Sequence, residues 1–145
     1  MAIAFAALES CTFKLTQKLL RKKWLKSIIL AEGDFEISDI NYIFCTDEEL
    51  LAVNKEYLNH DYYTDIITFD MAEEEGELAG DIYVSIDRIT EHAQTIGEGF
   101  ERELSRVLAH GVLHLCGYKD KDEAEIPKMR AAEERAIALW QEMIA

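Results

Sequence analysis

The chain has 145 residues, of which 49% are hydrophobic, with a single proline and a net charge of −14. The length predicts one globular domain over residues 1–145, and the charge argues against nonspecific binding of nucleic acid, which needs a basic surface. No stretch reaches the roughly 20 apolar residues that cross a membrane, no basic flank precedes an N-terminal apolar run, and three widely spaced cysteines indicate reduced thiols, so we expect a cytoplasmic protein without a membrane partner.

The first half of the chain alternates predicted strands with predicted helices. A run of apolar residues near 3–8 favours a short strand, and a helical period follows over about 14–32 until a glycine, the residue typical of helix ends. β-branched and aromatic residues then predict a strand over 37–45. Thr46 is a preferred capping residue, and it predicts a helix from about 48 to 58.

The helix predicted over 14–32 has a strongly basic face. The first 30 residues carry six Lys and Arg against one Glu, a net charge of +5, which leaves −19 for the remainder. Such a face is commonly no more than the solvated side of an amphipathic helix. It is also the part of the chain best suited to contact nucleic-acid phosphates. The candidate contacts are Lys18, Arg21, Lys22, Lys23 and Lys26.

The second half of the chain predicts a hairpin followed by three helices. Two strands, over 65–71 and 78–85, flank an acidic turn, and Ser85 or Asp87 caps the first helix. The third helix has Pro127 in its first turn. Its apolar stripe indicates a buried face made of Met129, Ala132, Ala136, Trp140 and Met143. This order predicts an α+β fold, a small mixed sheet of about four strands packed with about five helices.

The second of these three helices ends in a pattern typical of a metal site. His110 and His114 are four residues apart, so on a helix both imidazoles lie on one face. Gly117 suits the left-handed position after a helix end, where the chain turns back and offers Asp120 as a third ligand, with Asp122 as the alternative. Apolar residues at helical spacing also make this segment a core helix, so histidines at its edge could have a purely structural role. Three protein ligands would leave one coordination position open for catalysis.

Three segments of the chain resemble one known family. The run from His110 to Asp120, HGVLHLCGYKD, resembles the H-G-x-L-H-L-x-G-Y-D-H motif of the YbeY family, the rRNA-maturation endoribonucleases, also described as predicted metal-dependent hydrolases. Residues 54–69 resemble the family's L-N-x-x-Y-R-x-K-D-x-P-T-D-V-L-S-F segment, and residues 80–85 its G-D-I-x-I-S strand. The order and spacing of the segments agree with the family. The resemblance therefore spans most of the chain and implies a fold with a zincin-like metal helix.

The resemblance implies a metal-dependent, single-strand-specific endoribonuclease. Its setting would be rRNA processing, with maturation of the 3′ end of small-subunit (16S) rRNA and ribosome quality control. The implied partners are single-stranded rRNA, the small ribosomal subunit, ribosomal proteins and a ribosome-associated GTPase. The implied cofactor is one divalent ion, zinc, bound by His110, His114 and Asp120. Two alternatives stay open: a metallohydrolase that acts on a non-RNA substrate, and a ribosome-associated metal-binding factor with little catalysis of its own.

The chain departs from the family pattern at three positions. Asp120 replaces the third histidine of the motif, which keeps an accepted zinc ligand but shifts the preference of the site toward manganese or iron. Leu58 replaces an arginine, the natural clamp for a phosphate, and Lys55 and His60 are the two candidate substitutes for its positive charge, between which the sequence does not decide. Tyr63 replaces a proline.

The sequence is less informative about a catalytic base. Gly111 stands where the H-E-x-x-H metalloproteases have their glutamate base, which disfavours a peptidase. Asp65 and Asp81 are the candidate acids, either as a base or as partners of a ligand histidine. For these two residues, and for Thr64, strand-end capping or structural hydrogen bonding is the commoner role.

Overall fold

A mixed sheet is the frame of the structure, a computed structural model that describes residues 3–145. The four strands of these residues are β1 (Ile3–Ala7), β2 (Glu36–Cys45), β3 (Ile66–Asp70) and β4 (Glu77–Ser85). They lie in the order β1-β2-β4-β3, with β1, β2 and β4 parallel and β3 antiparallel to β4. The five helices of the same residues are α1 (Lys18–Glu32), α2 (Asp47–Leu58), α3 (Ile86–Ile96), α4 (Phe100–Leu115) and α5 (Glu125–Ile144). This architecture confirms the predicted α+β fold.

Local hydrogen bonds begin two of the helices where the sequence predicts them. Thr46 Oγ1 accepts from the Glu49 N–H at 3.2 Å, and the Glu49 carboxylate accepts from the Thr46 N–H at 2.9 Å, which forms a capping box for α2. Ser85 Oγ accepts from the Arg88 N–H at 3.1 Å at the start of α3. α1 begins later than predicted, because Gln17 has a left-handed backbone (φ 55°) that a right-handed helix cannot contain.

The two faces of the sheet carry cores of unequal size. Side chains alternate across a strand, so Ile82 and Val84 point to one face of β4 and Tyr83 points to the other. The first face packs with α1, α3, α4 and α5 in the larger core. The second face packs Tyr83 with Leu50 of α2 in a smaller cluster. α4, which carries both candidate ligand histidines, therefore rests on the face with the larger core.

α4 lies very close to the sheet at Gly111. A Cβ atom at this position would lie 3.0 Å from two side-chain carbons of Ile82 and 3.4 Å from the Tyr42 hydroxyl oxygen. That hydroxyl donates a hydrogen bond to the Leu108 carbonyl of the preceding turn. The missing side chain at Gly111 thus sets the depth of α4 on the sheet, and with it the position of the neighbouring histidines.

One of the five predicted nucleic-acid contacts, Arg21, is wrong. Its side chain is 1% exposed, and its guanidinium lies 3.7 Å from the centre of the Trp140 ring and 5.0 Å from that of Trp24. It donates to Ser105 Oγ at 2.9 Å and pairs with Glu101 at 3.2 Å. Burial lowers its pKa to about 10. Arg21 lies on the apolar side of α1 and ties that helix to α4 and α5, so it is not available to RNA.

The other four basic residues keep accessible side chains. Lys18, Lys23 and Lys26 are exposed, and Lys22 is half-buried. Their contact with RNA stays a prediction. No helix within residues 3–145 combines the length and the apolar character that crossing a membrane requires.

Candidate active site

A cavity of about 600 Å³ lies beside α4. Its walls come from the start of β3, one side of α3, α4, the turn after α4 and the first turns of α5. The polar residues that line it are Thr64, Asp65, Thr68, Arg88, His92, Arg106, His110, His114, Asp120, Arg130 and Glu133. The fold therefore brings the three predicted metal ligands and Asp65 into one site.

His110 is held in a defined orientation by a buried carboxylate. Its Nδ1 lies 2.7 Å from Glu133 Oε2, and the Glu133 side chain is 1% exposed. An ionised carboxylate only accepts hydrogen bonds, so Nδ1 is the nitrogen that donates to Glu133, and Nε2 is the nitrogen whose lone pair a neutral ring would offer to a metal. Nε2 lies 3.2 Å from Asp120 Oδ2. A histidine whose second nitrogen is bound by a carboxylate is the usual arrangement of a metal ligand.

These donors suit a divalent ion. Two donors on a tetrahedral ion with bonds of about 2.0 to 2.2 Å are about 3.3 to 3.6 Å apart, close to the 3.2 Å between His110 Nε2 and Asp120 Oδ2. His114 is exposed and lines the same cavity, and within residues 3–145 its side chain has no hydrogen bond. No three His, Cys, Asp or Glu side chains of these residues converge on one point. Turning the His114 side chain within the cavity would break no hydrogen bond.

The turn after α4 places Asp120 at the cavity. The Gly117 N–H donates to the His114 carbonyl at 3.0 Å and the Tyr118 N–H to the Leu113 carbonyl at 3.1 Å, the two bonds of a Schellman motif. Gly117 has a φ of +112°, as this motif requires of its glycine.

Asp122, the alternative third ligand, is engaged at the start of α5. Its Oδ1 accepts from the Glu125 N–H at 2.8 Å and the Ala124 N–H at 3.0 Å. The backbone hydrogen bond from Glu125 lowers the pKa of Asp122. Asp120 lines the cavity and Asp122 does not, so the structure supports Asp120 as the third candidate ligand.

Of the two candidate acids, the structure brings only Asp65 to the cavity. Asp65 lies just before β3, 3.7 Å from Arg106 Nη2. Asp81 points to the face of β4 opposite α4, because it alternates with Ile82 along the strand. There it accepts a hydrogen bond from Asn41 Nδ2 at 3.1 Å. Asp81 as a base or as the partner of a ligand histidine is therefore corrected to a structural role in the sheet.

Arg106 joins two buried glutamates beneath the cavity. It donates to Glu103 at 2.5 and 2.9 Å and lies 3.5 Å from Glu133 Oε1. Burial alone would raise the pKa of Glu103, but hydrogen bonds from Arg106 and His92 more than offset it and hold the pKa below its usual value. Burial acts to lower the pKa of Arg106, yet its contacts with the carboxylates raise it. Arg106 therefore stays charged and Glu103 stays ionised.

The candidate substitutes for the arginine that Leu58 replaces do not reach the cavity. Lys55 Nζ pairs with Asp61 at 3.3 Å, and the His60 ring stacks on Tyr62 with centroids 5.1 Å apart. Neither residue lines the cavity, so the structure does not support either candidate as a substitute.

Two arginines supply positive charge at the cavity wall instead. Arg88 Nη2 binds Asp47 at 2.8 Å, and its guanidinium lies 5.3 Å from the centre of the Tyr63 ring. Its Nε is buried and has no hydrogen-bond partner within residues 3–145. Arg130 is 60% exposed, and its Nη1 lies 3.4 Å from Glu133.

Two of these lining residues, Glu133 and His92, are not identified by the sequence analysis. Glu133 follows Met129 by four residues on the buried stripe of α5, and a charge inside such a stripe is a signal for a buried ionic partner. His92 gives no comparable signal. Its partner, Glu103, lies in a different helix, and only the packing of α3 on α4 brings the two together.

A histidine–carboxylate cluster in a cavity walled by arginines, on a small α+β fold, defines the class of the protein as a hydrolase suited to an anionic substrate. The family model of endoribonuclease YbeY matches residues 7–141. The chain belongs to the endoribonuclease YbeY family.

Relatives and a solved structure agree with this assignment. The endoribonuclease YbeY of Cytophaga hutchinsonii is 48% identical over 131 residues, 90% of this chain and 91% of the relative. That of Parabacteroides distasonis is 42% identical over 142 residues, 98% of each chain. The solution structure of TM1509 from Thermotoga maritima has a TM-score of 0.65 at 29% identity and covers 97% of this chain and 92% of that one. The predicted family and enzyme class, an endoribonuclease, are confirmed.

Proposed function

We propose that the chain cleaves single-stranded rRNA in a metal-dependent reaction, in the maturation of the 3′ end of small-subunit (16S) rRNA and in ribosome quality control. Family membership supports hydrolysis of RNA phosphodiester bonds over a non-RNA substrate or a non-catalytic metal-binding role. Residues 1–145 would form the single catalytic domain, working in the cytoplasm. The observation that carries the proposal is His110, held at Nδ1 by buried Glu133 and placed with Nε2 beside Asp120.

The proposed ligands of one divalent ion are His110, His114 and Asp120, and the proposed ion is zinc. The carboxylate of Asp120 also suits manganese or iron, which makes the metal content an informative measurement. The ion would supply Lewis acidity and a bound water of lowered pKa. Glu133 would keep the imidazole of His110 in the tautomer that binds metal.

Arginines of the cavity wall would bind the RNA backbone. Arg88 pairs with Asp47 and lines the cavity with a side chain that is 30% exposed, and Arg130, which also lines it, has a side chain that is 60% exposed. Guanidinium groups bind phosphate oxygens with paired hydrogen bonds. Arg106, in contrast, is engaged with Glu103 and Glu133 and would hold the site together rather than bind substrate.

An exposed aromatic side chain beside the cavity supports a single-stranded substrate. Tyr63 is 48% exposed, and its ring lies against Arg88 of the cavity wall. Unpaired bases stack on such rings, whereas bases within a duplex are not free to do so.

The basic face of α1 is the proposed contact with the ribosome. Lys18, Lys22, Lys23 and Lys26 form a positive surface on an otherwise acidic chain, which favours phosphates presented in one orientation. The proposed partners are rRNA and the small ribosomal subunit, with ribosomal proteins and a ribosome-associated GTPase.

The test is cleavage of immature small ribosomal subunits by the purified protein, with mapping of the rRNA 3′ ends. Wild type is compared with wild type plus chelator, with His114→Ala, and with His60→Ala, a histidine outside the cavity. We expect maturation by wild type and His60→Ala only. Elemental analysis should find the divalent ion in these two proteins and little in His114→Ala. Ends that mature equally in all four samples would refute the proposed function.

A further inference from the structure

A second histidine–glutamate pair lies in the same cavity. His92 of α3 places its Nδ1 2.6 Å from Glu103 Oε2 of α4. The Glu103 side chain is 2% exposed, while that of His92 is 41% exposed and lines the cavity. The carboxylate is therefore shielded from water and the imidazole is accessible to a substrate.

This pair repeats the arrangement of His110 with Glu133. In each pair Nδ1 binds a glutamate that is almost fully buried, and Arg106 binds both glutamates. His110 has Asp120 at its Nε2, whereas Nε2 of His92 has no hydrogen-bond partner within residues 3–145. The two imidazoles are thus held alike, but only one lies among the proposed metal ligands.

The charges around His92 favour a role in proton transfer. Glu103 stays ionised because Arg106 and His92 bind it, so its carboxylate accepts a hydrogen bond from the Nδ1–H of His92 and would stabilise a positive imidazolium. Arg88, one turn earlier on α3, and Asp65 line the same cavity, so a guanidinium of the kind that binds phosphate shares the cavity with His92. If the contact between His92 and Glu103 served only to hold α3 against α4, the imidazole would not need to face a cavity.

We propose that His92 is a catalytic acid of the RNA cleavage, an inference that rests on the proposed function. In the hydrolysis the oxygen of an attacking water forms a bond to phosphorus, while the bond from phosphorus to the leaving ribose oxygen breaks. The imidazolium of His92 gives its Nε2 proton to that oxygen, which leaves as a hydroxyl, and the other strand keeps the phosphate. The proton released by the attacking water returns to the imidazole through solvent, so atoms and charge balance.

The test compares His92→Asn and His92→Ala with wild type and with His60→Asn. Asparagine retains an N–H donor for Glu103 but has no titrating ring, so it keeps the tie between the helices. The measurements are single-turnover cleavage of immature small subunits with zinc-loaded protein, the protein concentration at half-maximal rate, the bound metal and the melting temperature. A wild-type sample with chelator is included.

We expect the cleavage rate of both His92 variants to fall about 100-fold, as for loss of a general acid, with bound metal and half-maximal concentration unchanged. Added imidazole should restore cleavage by His92→Ala. His60→Asn should cleave like wild type. A His92→Asn cleavage rate equal to that of wild type would overturn the assignment of His92. So would a loss of cleavage that is explained by lower metal content or a lower melting temperature and that added imidazole does not restore. If wild type itself cleaves equally with and without chelator, the proposed metal-dependent function fails instead.

Discussion

Replacing Glu133 by glutamine tests whether the buried carboxylate prepares His110 for a metal ion. Glu133 is 1% exposed, and its Oε2 lies 2.7 Å from His110 Nδ1 while its Oε1 lies 3.5 Å from Arg106 and 3.4 Å from Arg130. Glutamine keeps the volume and one acceptor oxygen. It removes the negative charge that keeps the proton on Nδ1 and the lone pair on Nε2.

The size of the effect follows from these interactions. Losing the carboxylate behind a ligand histidine lowers metal affinity about 10- to 100-fold, which corresponds to about 1.4 to 2.7 kcal/mol. Removing one partner of a buried ion pair costs about 3 to 5 kcal/mol of unfolding free energy when the other charge is left alone. Arg106 keeps Glu103 at 2.5 and 2.9 Å, so we expect a smaller loss, about 1 to 3 kcal/mol, typical of a buried hydrogen-bonding group left partly unsatisfied.

Two measurements separate the effects on metal binding and on folding. Zinc affinity is measured by competition with a chromogenic chelator, and unfolding free energy by urea titration of the metal-free protein. Glu134→Gln is the matched control, because Glu134 is the next residue on α5 but is 59% exposed and pairs with Arg102 outside the cavity. We expect the control to bind zinc like wild type. Equal zinc affinity of Glu133→Gln and Glu134→Gln would refute the role assigned to the buried carboxylate.

Further substitutions test three features of the protein: the ligand set, the basic face and the packing of α4. Asp120→His is expected to retain the ion and to prefer zinc over manganese more strongly than wild type, whereas Asp120→Ala is expected to lose affinity for the ion. If elemental analysis finds the metal content of Asp120→Ala unchanged, the third ligand is a different residue. Replacing Lys22 and Lys23 by Glu should weaken binding to small subunits and reduce the slope of log affinity against log salt by about 0.7 to 0.9 for each phosphate that the variant no longer neutralises. An unchanged slope would mean that this face is only solvated and does not contact phosphates. Gly111→Ala should lower the unfolding free energy by roughly 1 kcal/mol, because crowding against Ile82 costs about 2 kcal/mol, the middle of the usual range, and the better helix propensity of alanine returns about 1 kcal/mol. Urea titration measures this change, and a variant as stable as wild type would contradict the close approach of α4 to the sheet.

Sequence signals that lie within a few residues of one another were sufficient to predict the helices and strands and the candidate metal ligands. The Thr46 capping box begins α2, and Gly117 forms the turn that the sequence assigns to it. His110 and His114 line one cavity because an α-helix repeats every 3.6 residues, whatever surrounds it. The quoted motifs likewise lie in short stretches, so the family could be identified without a structure.

Tertiary structure alone decided which charged residues serve the site. Arg21 looks like one more cation of a basic face, yet the packing of Trp24 and Trp140 buries it. Asp65 and Asp81 are both acids next to or within a predicted strand, so the sequence does not distinguish them. In the structure the alternation of side chains along β4 points Asp81 away from α4.

The two histidine–glutamate pairs show the physical reason most clearly. His92 meets Glu103 and His110 meets Glu133 across separate helices, and Arg106 joins the two glutamates. A buried charge is stable only where a partner lies within hydrogen-bond distance, and that partner is chosen by how the helices pack on the sheet. The sequence by itself determined the helices, the turn and the candidate ligands, and the packing of α3, α4 and α5 determined how their charges are combined.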